Sequence, residues 1–560
     1  MGPPWGKTLG LFECSRPRAY EAGPHGKTPE YRRRDPKEST LYQAIQVGLP
    51  SLLQELQTQD KTLPFHVARE FEEFQKCGVL EHGFIRVKCR ECRHEKIVGF
   101  SCKRRGFCAS CAGKRMVESG VFLSEAMFPG NAPVRQWVVS VSVPIPLRFW
   151  MAINSELMGQ VNAIITRAIG AHYKKAVRHF LLEGEELQTA SVSVIQRFGG
   201  ALNLNIHFHQ LWVDGAYAGA ADEETGHIQA HLLKAKELTS EEIHATLTSI
   251  QKRVVRLLMR RGLLNQDGSR GEGSPGVVYG PQDADDSIRE LSVASVQSRI
   301  ATGEHQGQRA RRVGSFGLGG ERVATSGRLC AEFGGFSLHA AVRVGSREKW
   351  RNGVMELHEK RQQKLEKLCR YVMRGAVAEN RLQREENGDI SYLLKAPWSD
   401  GTKAVHFTPL EFVEKLAALV PPPRVHQIRY HGVFAPNHSW RAAVVPKGRV
   451  ESGLAPGETK IPISRGRRMS WAECLKRTFQ IDLTRCPDCA GEVRFIAAVL
   501  KRDAVEAILG HLKIEGARTG WDTATGLDEA IHYLLRGPPE GESPPTWDEH
   551  CQIPQYSTDF

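Results

Sequence analysis

Leu204-Asn205-Ile206-His207-Phe208-His209-Gln210-Leu211-Trp212-Val213 reads as a buried strand with two metal-ligand side chains on one face. Successive side chains of a strand point to opposite sides, so His207 and His209 share a face with Cβ atoms roughly 6–7 Å apart. Two imidazoles so placed can converge on one cation, while Ile206, Phe208 and Trp212 turn to the other face and pack. A strand pair of histidines taken alone is more often merely hydrogen-bonded. Outward from this strand, further strand-like segments stand at 135–143, 190–198 and 335–344, with helical stretches at 151–182 and from 240 to about 261. Strands interspersed with helices in this way predict an α+β fold on an antiparallel sheet.

A second run carries the other half of the chemistry. Lys364-Leu365-Glu366-Lys367-Leu368-Cys369-Arg370-Tyr371-Val372-Met373-Arg374 contains no breaker, and Leu365, Leu368 and Val372 fall at helix spacing. Tyr371 lies beside that stripe, with Lys364, Lys367 and Arg374 on its side of the helix. A phenol flanked by cations suits attack on a phosphodiester. The cations hold phosphate and favour the phenolate, while a metal ion polarises the phosphorus centre. The plainer reading is an amphipathic helix with a core-edge tyrosine and a solvated basic face.

The cysteines form a third constellation. Cys89-x-x-Cys92 and Cys108-x-x-Cys111 stand 15 residues apart, the spacing of a four-thiolate structural zinc site. Cys77, His82, His94 and Cys102 could supplement that site or build another. Lys103, Arg104, Arg105, Lys114 and Arg115 surround the knuckles and suit contact with a DNA backbone, or else form a solvated rim. Cys486-Pro487-Asp488-Cys489 has no second pair nearby, and Cys474 is its closest extra ligand. It reads either as zinc-binding or as free thiols in a turn. Thirteen cysteines in 560 residues do not make a disulfide scaffold, so thiolates in a reducing compartment are expected.

Several blocks together resemble the rolling-circle transposases of the insertion-sequence-91 type, including their insertion-sequence-common-region relatives. They are Val194-Ile195-Gln196-Arg197-Phe198-Gly199, Ala201-Leu202-Asn203-Leu204-Asn205 with the histidine pair, Gly327-Arg328-Leu329-Cys330, Gly335-Phe336-Ser337-Leu338-His339-Ala340, Leu368-Cys369-Arg370-Tyr371, Leu419-Val420-Pro421-Pro422-Pro423-Arg424 and Arg429-Tyr430-His431-Gly432-Val433-Phe434-Ala435-Pro436-Asn437. They run in order from about 41 to about 498, behind a cysteine-rich module like that family's zinc-binding domain.

The resemblance implies an HUH endonuclease core preceded by a small zinc-binding domain, with a helical C-terminal region. It implies Tyr371 as nucleophile, and His207 and His209 holding Mg²⁺ or Mn²⁺. Neutral imidazoles bind such hard ions only modestly, so a third ligand is expected, with His339 and Gln196 as candidates, and His339 reads equally well as a hydrogen-bonded core histidine. Zn²⁺ belongs in the N-terminal module, and Lys103, Arg104, Arg105, Lys367 and Arg374 would contact DNA, including single-stranded element ends. A bacterial cytoplasmic, nucleoid-associated protein is implied as well. Two departures matter. Family members often carry two tyrosines four residues apart, but Lys367 and Gly375 occupy those positions, so the chain resembles the single-tyrosine branch. The proline pair usual after the tyrosine segment is replaced by Gly375-Ala376. A plasmid replication initiator or relaxase would use the same chemistry, and a non-catalytic zinc-dependent DNA-binding protein would use none of it.

Composition agrees with a polyanionic partner: the formal net charge is +13, with 41% hydrophobic and 25% charged residues. No run approaches the roughly 20 apolar residues of a membrane span, and no secretory hydrophobic region opens the chain. The expected organisation is a disordered basic tail at 1–38, a helical segment plus zinc-binding domain at 39–118, and a nuclease domain at 119–444 with a flexible insertion at about 265–320. A linker at 445–468, a small C-terminal domain at 469–536 and a tail at 537–560 follow.

Overall fold

The computed structural model describes residues 35–511 apart from 142–144, 266–285, 314–328, 346–353, 446–471, most of 474–482 and a few further single or paired positions. Nearly all of the expected basic tail, the linker and the C-terminal tail lie outside the described residues.

The strands are β1 Phe84–Cys89, β2 Glu95–Gly99, β3 Val134–Val141, β4 Glu186–Gln188, β5 Ala190–Phe198, β6 Leu204–Val213, β7 Gly215–Ala221, β8 Ile228–Lys234, β9 Arg311–Val313, β10 Cys330–Phe333, β11 Phe336–His339, β12 Arg343–Val344, β13 Leu382–Arg384, β14 Ile390–Leu393, β15 Ala404–Phe407, β16 Ile428–Gly432 and β17 Val493–Val499. The helices are α1 Thr40–Thr58, α2 Phe65–Lys76, α3 Ala109–Val121, α4 Ile145–Ile153, α5 Ser155–Val177, α6 Ser240–Arg260, α7 Asp286–Val296, α8 Val354–Val372, α9 Pro409–Leu419, α10 Arg441–Val444 and α11 Arg502–His511.

The central sheet runs β10-β11-β3-β6-β5-β16, with β12 also on β3, and every pairing is antiparallel. The chain is thus α+β with a zinc-type module ahead of an antiparallel sheet. Because β6 lies between β3 and β5, its alternation divides two layers. Ile206, Phe208 and Trp212 join Trp137, Val139 and Ile195 in the main core, closed by Val161, Ile165 and Tyr173 of α5 and Ile250 and Val254 of α6. On the other face Leu211, Val213, Val134, Val192 and Val194 pack against Leu365, Leu368, Cys369 and Val372 of α8. Helix α6 starts on a capping box between Thr239 and Glu242.

The buried Asp214 carboxylate closes one end of the sheet. It accepts from Arg135 Nε at 3.0 Å and Tyr173 Oη at 2.9 Å, and pairs with Arg343. The buried Arg135 and Asp214 charges are therefore matched to each other, as burial requires.

Two boundaries differ from the sequence expectation. Within the supposed flexible insertion, α7 is a packed helix: Leu291 and Val296 are buried, and Ser295 Oγ accepts from Leu204 N at 2.9 Å where β6 begins. Small buried serines disguise this core helix as polar linker. The expected separate domain at 469–536 is also not what its described part forms. Strand β17 pairs with β1 from Phe84↔Val499 to Cys89↔Val493, giving the module a sheet of order β17-β1-β2, and Val505 and Leu509 of α11 pack on Phe84. A pairing across some four hundred residues leaves no local signature.

Candidate functional site

The register of the central sheet builds the site. Val138, His209 and Val194 lie abreast on β3, β6 and β5, followed by Ser140, His207 and Gln196. Directly opposed residues share a face, so both imidazoles and Gln196 point toward α8. The two rings sit 4.9 Å apart between centroids.

Burial holds both rings neutral. It pushes His207 down to about 4, and drives His209 well below the ordinary histidine range with help from the neighbouring His207 and Arg374. Neutral imidazole is the metal-binding form. His207 has a carbonyl-type oxygen beside each ring nitrogen, Asn205 O near Nδ1 and Gln196 Oε1 near Nε2, both at 3.1 Å. A neutral ring has one N–H and can donate to one of them. With Nδ1–H given to Asn205, the Nε2 lone pair faces the Gln196 oxygen, an arrangement a shared cation relieves. Gln196 cannot turn its oxygen away, because its amide nitrogen donates to Val372 O at 2.7 Å. His209 Nδ1 lies 2.7 Å from the Gln136 amide nitrogen, and its buried Nε2 has no hydrogen-bond partner. Turning that amide over, so that its oxygen accepts from Nδ1–H, leaves the Nε2 lone pair for a cation. The donor set therefore fits a divalent cation, with Gln196 as third donor. His339 shares the face but is opposite Val138, one strand beyond, roughly 10 Å from His209.

Tyr371 ends α8 directly over this pair. Its ring meets His209 edge-on at 6.0 Å and 88°, and it is 38% exposed, so the phenol is open to a substrate. Two cations flank it: Arg374 Cζ lies 4.7 Å and Lys395 Nζ 5.1 Å from its ring centroid. Arg374 follows the helix end and also reaches the Phe198 ring, and its Nε is buried without an acceptor. Lys395, just after β14, was not foreseen. It comes from a hairpin whose approach no local pattern marks. Lys367 is exposed one turn earlier on α8.

Helix α3 packs against α8 so closely that a Cβ at Gly120 would stand 2.6 Å from Arg370 Cγ, and one at Gly375 2.5 Å from Ala112 Cβ. The cysteine module thus buttresses the tyrosine helix. Of its three basic candidates, Lys103 is exposed, Arg104 pairs with Glu73 at 3.8 Å, and Arg105 donates to Val425 O at 2.9 Å. Arg105 is exposed as well, with one guanidinium nitrogen tied to that carbonyl. A different basic surface lies across the sheet. Lys252, Arg253 and Arg256 of α6, exposed and without an ion pair among the described residues, line an open groove with His244, Thr248 and Ser249.

The expected quartet Cys89, Cys92, Cys108, Cys111 is not assembled. Two groups of four form instead, each with ligand atoms within 4.8 Å of one another: Cys77, Cys102, Cys108 and Cys111, and Cys89, Cys92, Cys486 and Cys489. Spacing alone paired the two nearest knuckles, whereas the β1–β2 hairpin carries Cys89 and Cys92 away from α3, whose first turn holds Cys108 and Cys111. The first quartet lies within the main core beside Phe71, Phe74 and Phe107, with Sγ separations of 3.4–3.8 Å. A tetrahedron of 2.3 Å Zn–S bonds requires about 3.8 Å between sulfurs, so the donor set fits zinc. His82 and His94 belong to neither group.

Comparison with known families adds two matches. Residues 50–141 match the family described as "Transposase zinc-binding domain", of the insertion-sequence-91 type, and residues 191–441 match the family described as "Putative transposase". No curated protein and no solved structure matches the chain. Among the described residues no helix is long and apolar enough to cross a membrane.

Proposed function

From the premise that the chain is a transposase of the insertion-sequence-91 type, a zinc protein whose partner is DNA, we propose that it nicks and rejoins single-stranded DNA through Tyr371, as rolling-circle transposition requires. The Tyr371 oxygen attacks a phosphorus, the phosphorus–O3′ bond breaks, and the 5′ phosphate remains on the tyrosine while the departing oxygen becomes a free 3′-OH. Attack by a second 3′-OH reverses the step and releases the phenol. The observation that carries this reading is Tyr371 standing edge-on at 6.0 Å to His209, with Gln196 bridging His207 to the last turn of α8.

His207, His209 and Gln196 would hold Mg²⁺ or Mn²⁺, which supplies charge to the scissile phosphate and offsets the charge that develops there. The other roles fall to the chain itself. Arg374, with an unmatched buried Nε, and Lys395 seat the phosphate beside the phenol and stabilise its anion. Gln196 holds the histidine face and α8 in one geometry. The α6 cations give a second, sequence-independent contact to the DNA backbone across the sheet.

The test is direct. Protein incubated with a labelled single-stranded element terminus and Mn²⁺ should form a denaturation-resistant adduct retaining the label 3′ of the nick, and Tyr371→Phe should form none. Adduct in the Phe variant would move the chemistry to another tyrosine.

A further inference from the structure

We infer that Cys89, Cys92, Cys486 and Cys489 form a second structural zinc site, one that clasps the C-terminal segment onto the N-terminal module. Four thiols converge from two loops 394 positions apart in sequence, with Cys89 Sγ 3.5 Å from Cys489 and Cys92 Sγ 3.4 Å from Cys486. These separations are near the 3.8 Å edge of a zinc tetrathiolate and far beyond the roughly 2.05 Å of a disulfide.

Both loops are built as metal knuckles. Glu91 N points at Cys89 Sγ at 3.4 Å, the amide-to-sulfur contact that steadies a bound thiolate. In the facing loop Cys486 N donates to Gly491 O and Ala490 N to Cys486 O, and Ala490 takes the left-handed conformation at φ 58°. Gly491 sits so close that a Cβ there would fall 2.4 Å from Glu91 Cγ and 3.1 Å from Cys89 Sγ. Only glycine lets the two loops approach.

Nothing local requires this juxtaposition, yet three independent ties hold it. Strand β17 pairs with β1 up to Cys89↔Val493, Arg90 pairs with Glu492 at 2.7 Å, and His94 lies 2.7 Å from Asp488. Small sheets of this kind lack a core sufficient to hold four thiols together, and a soft cation supplies the missing cohesion. The two sites differ in access. Cys92 and Cys489 are exposed, whereas three ligands of the first quartet are buried. The second zinc should therefore exchange faster and leave first to a chelator.

Full-length protein purified under reducing conditions should carry two zinc ions per chain by elemental analysis, and the double variant Cys486→Ser/Cys489→Ser should keep one. In that variant, limited proteolysis should remove the β17–α11 segment at a dose that leaves wild type intact. Wild type holding one zinc, or a double variant keeping two, overturns the proposal. If the variant fails to fold, wild type alone decides. Titration of metal-stripped protein with Co²⁺ should develop tetrathiolate visible absorbance up to two equivalents, and saturation at one overturns it.

Discussion

The two faces of β6 divide the labour of the molecule. On one, Ile206, Phe208 and Trp212 are fully buried among apolar neighbours and hold α5 and α6 to the sheet. On the other, a single residue step away, His209 beside His207 keeps a buried ring nitrogen without a hydrogen-bond partner, under a tyrosine that is 38% exposed. On the first face the one polar side chain of β6, Gln210, has its amide matched by Asn162, Thr166 and Trp212. The second is left incompletely satisfied, which is where a ligand gains most. Substitutions on the first face should cost stability, and those on the second should cost activity.

The paired variants Tyr371→Phe and Phe208→Ala strain this contrast hardest. The first should lower covalent adduct by at least about 10³-fold with an almost unchanged melting temperature. The second should lower unfolding free energy by about 3–5 kcal/mol, and its residual adduct formation should follow the folded fraction. A Phe208→Ala protein that melts like wild type would break the comparison.

Acid should reveal a histidine on the packing face. His431 on β16 is half-buried, 3.0 Å from Ser193 Oγ, and burial of its ring pushes its pKa down to about 4. Its neutral form therefore contributes stability that is complete above the ordinary value of about 6.5 and lost as pH falls toward 4. Below that window the loss reaches about 3 kcal/mol. His431→Gln should flatten this part of the pH–stability curve in denaturant titrations. An unchanged slope would mean that the ring is already charged in the fold.

On the chemical face, Gln196→Ala should reduce nicking about 10–100-fold and raise the Mn²⁺ concentration needed for half-maximal rate. Loss without any change in metal dependence would assign Gln196 to holding α8 alone. The smallest effect belongs to α6. Replacing Lys252, Arg253 and Arg256 by alanine should lower the salt slope of duplex binding by about 2–3, while adduct formation on a short single strand stays at the wild-type rate.

What was legible in the sequence follows from how local each signal is. Alternation placed His207 and His209 on one face, and one-turn spacing placed Tyr371 beside Leu368 and Val372, because both periods act within a few residues. Gln196 needed a neighbouring strand, and the sequence offered it only as one of two candidates for a third ligand. Lys395 and the true cysteine partners needed tertiary approach. A count would still have helped with the cysteines. Cys77 and Cys102 complete Cys108-x-x-Cys111 just as Cys486-x-x-Cys489 completes Cys89-x-x-Cys92, so eight cysteines fill two quartets with none shared.

The pairing of β1 with β17 also sets an order in time. A ribosome adding about 5–20 residues per second reaches Val493 on the order of 20–80 s after it has passed Cys89. Throughout that interval β1 has β2 on one side and an open edge on the other, the kind of edge that invites pairing with a neighbouring nascent chain. Arg86 and Lys88, both tied to Glu95 of β2, put charge along that strand while it waits. A message cut between codons 445 and 493 would yield a protein with its histidines and tyrosine intact and that edge permanently uncovered.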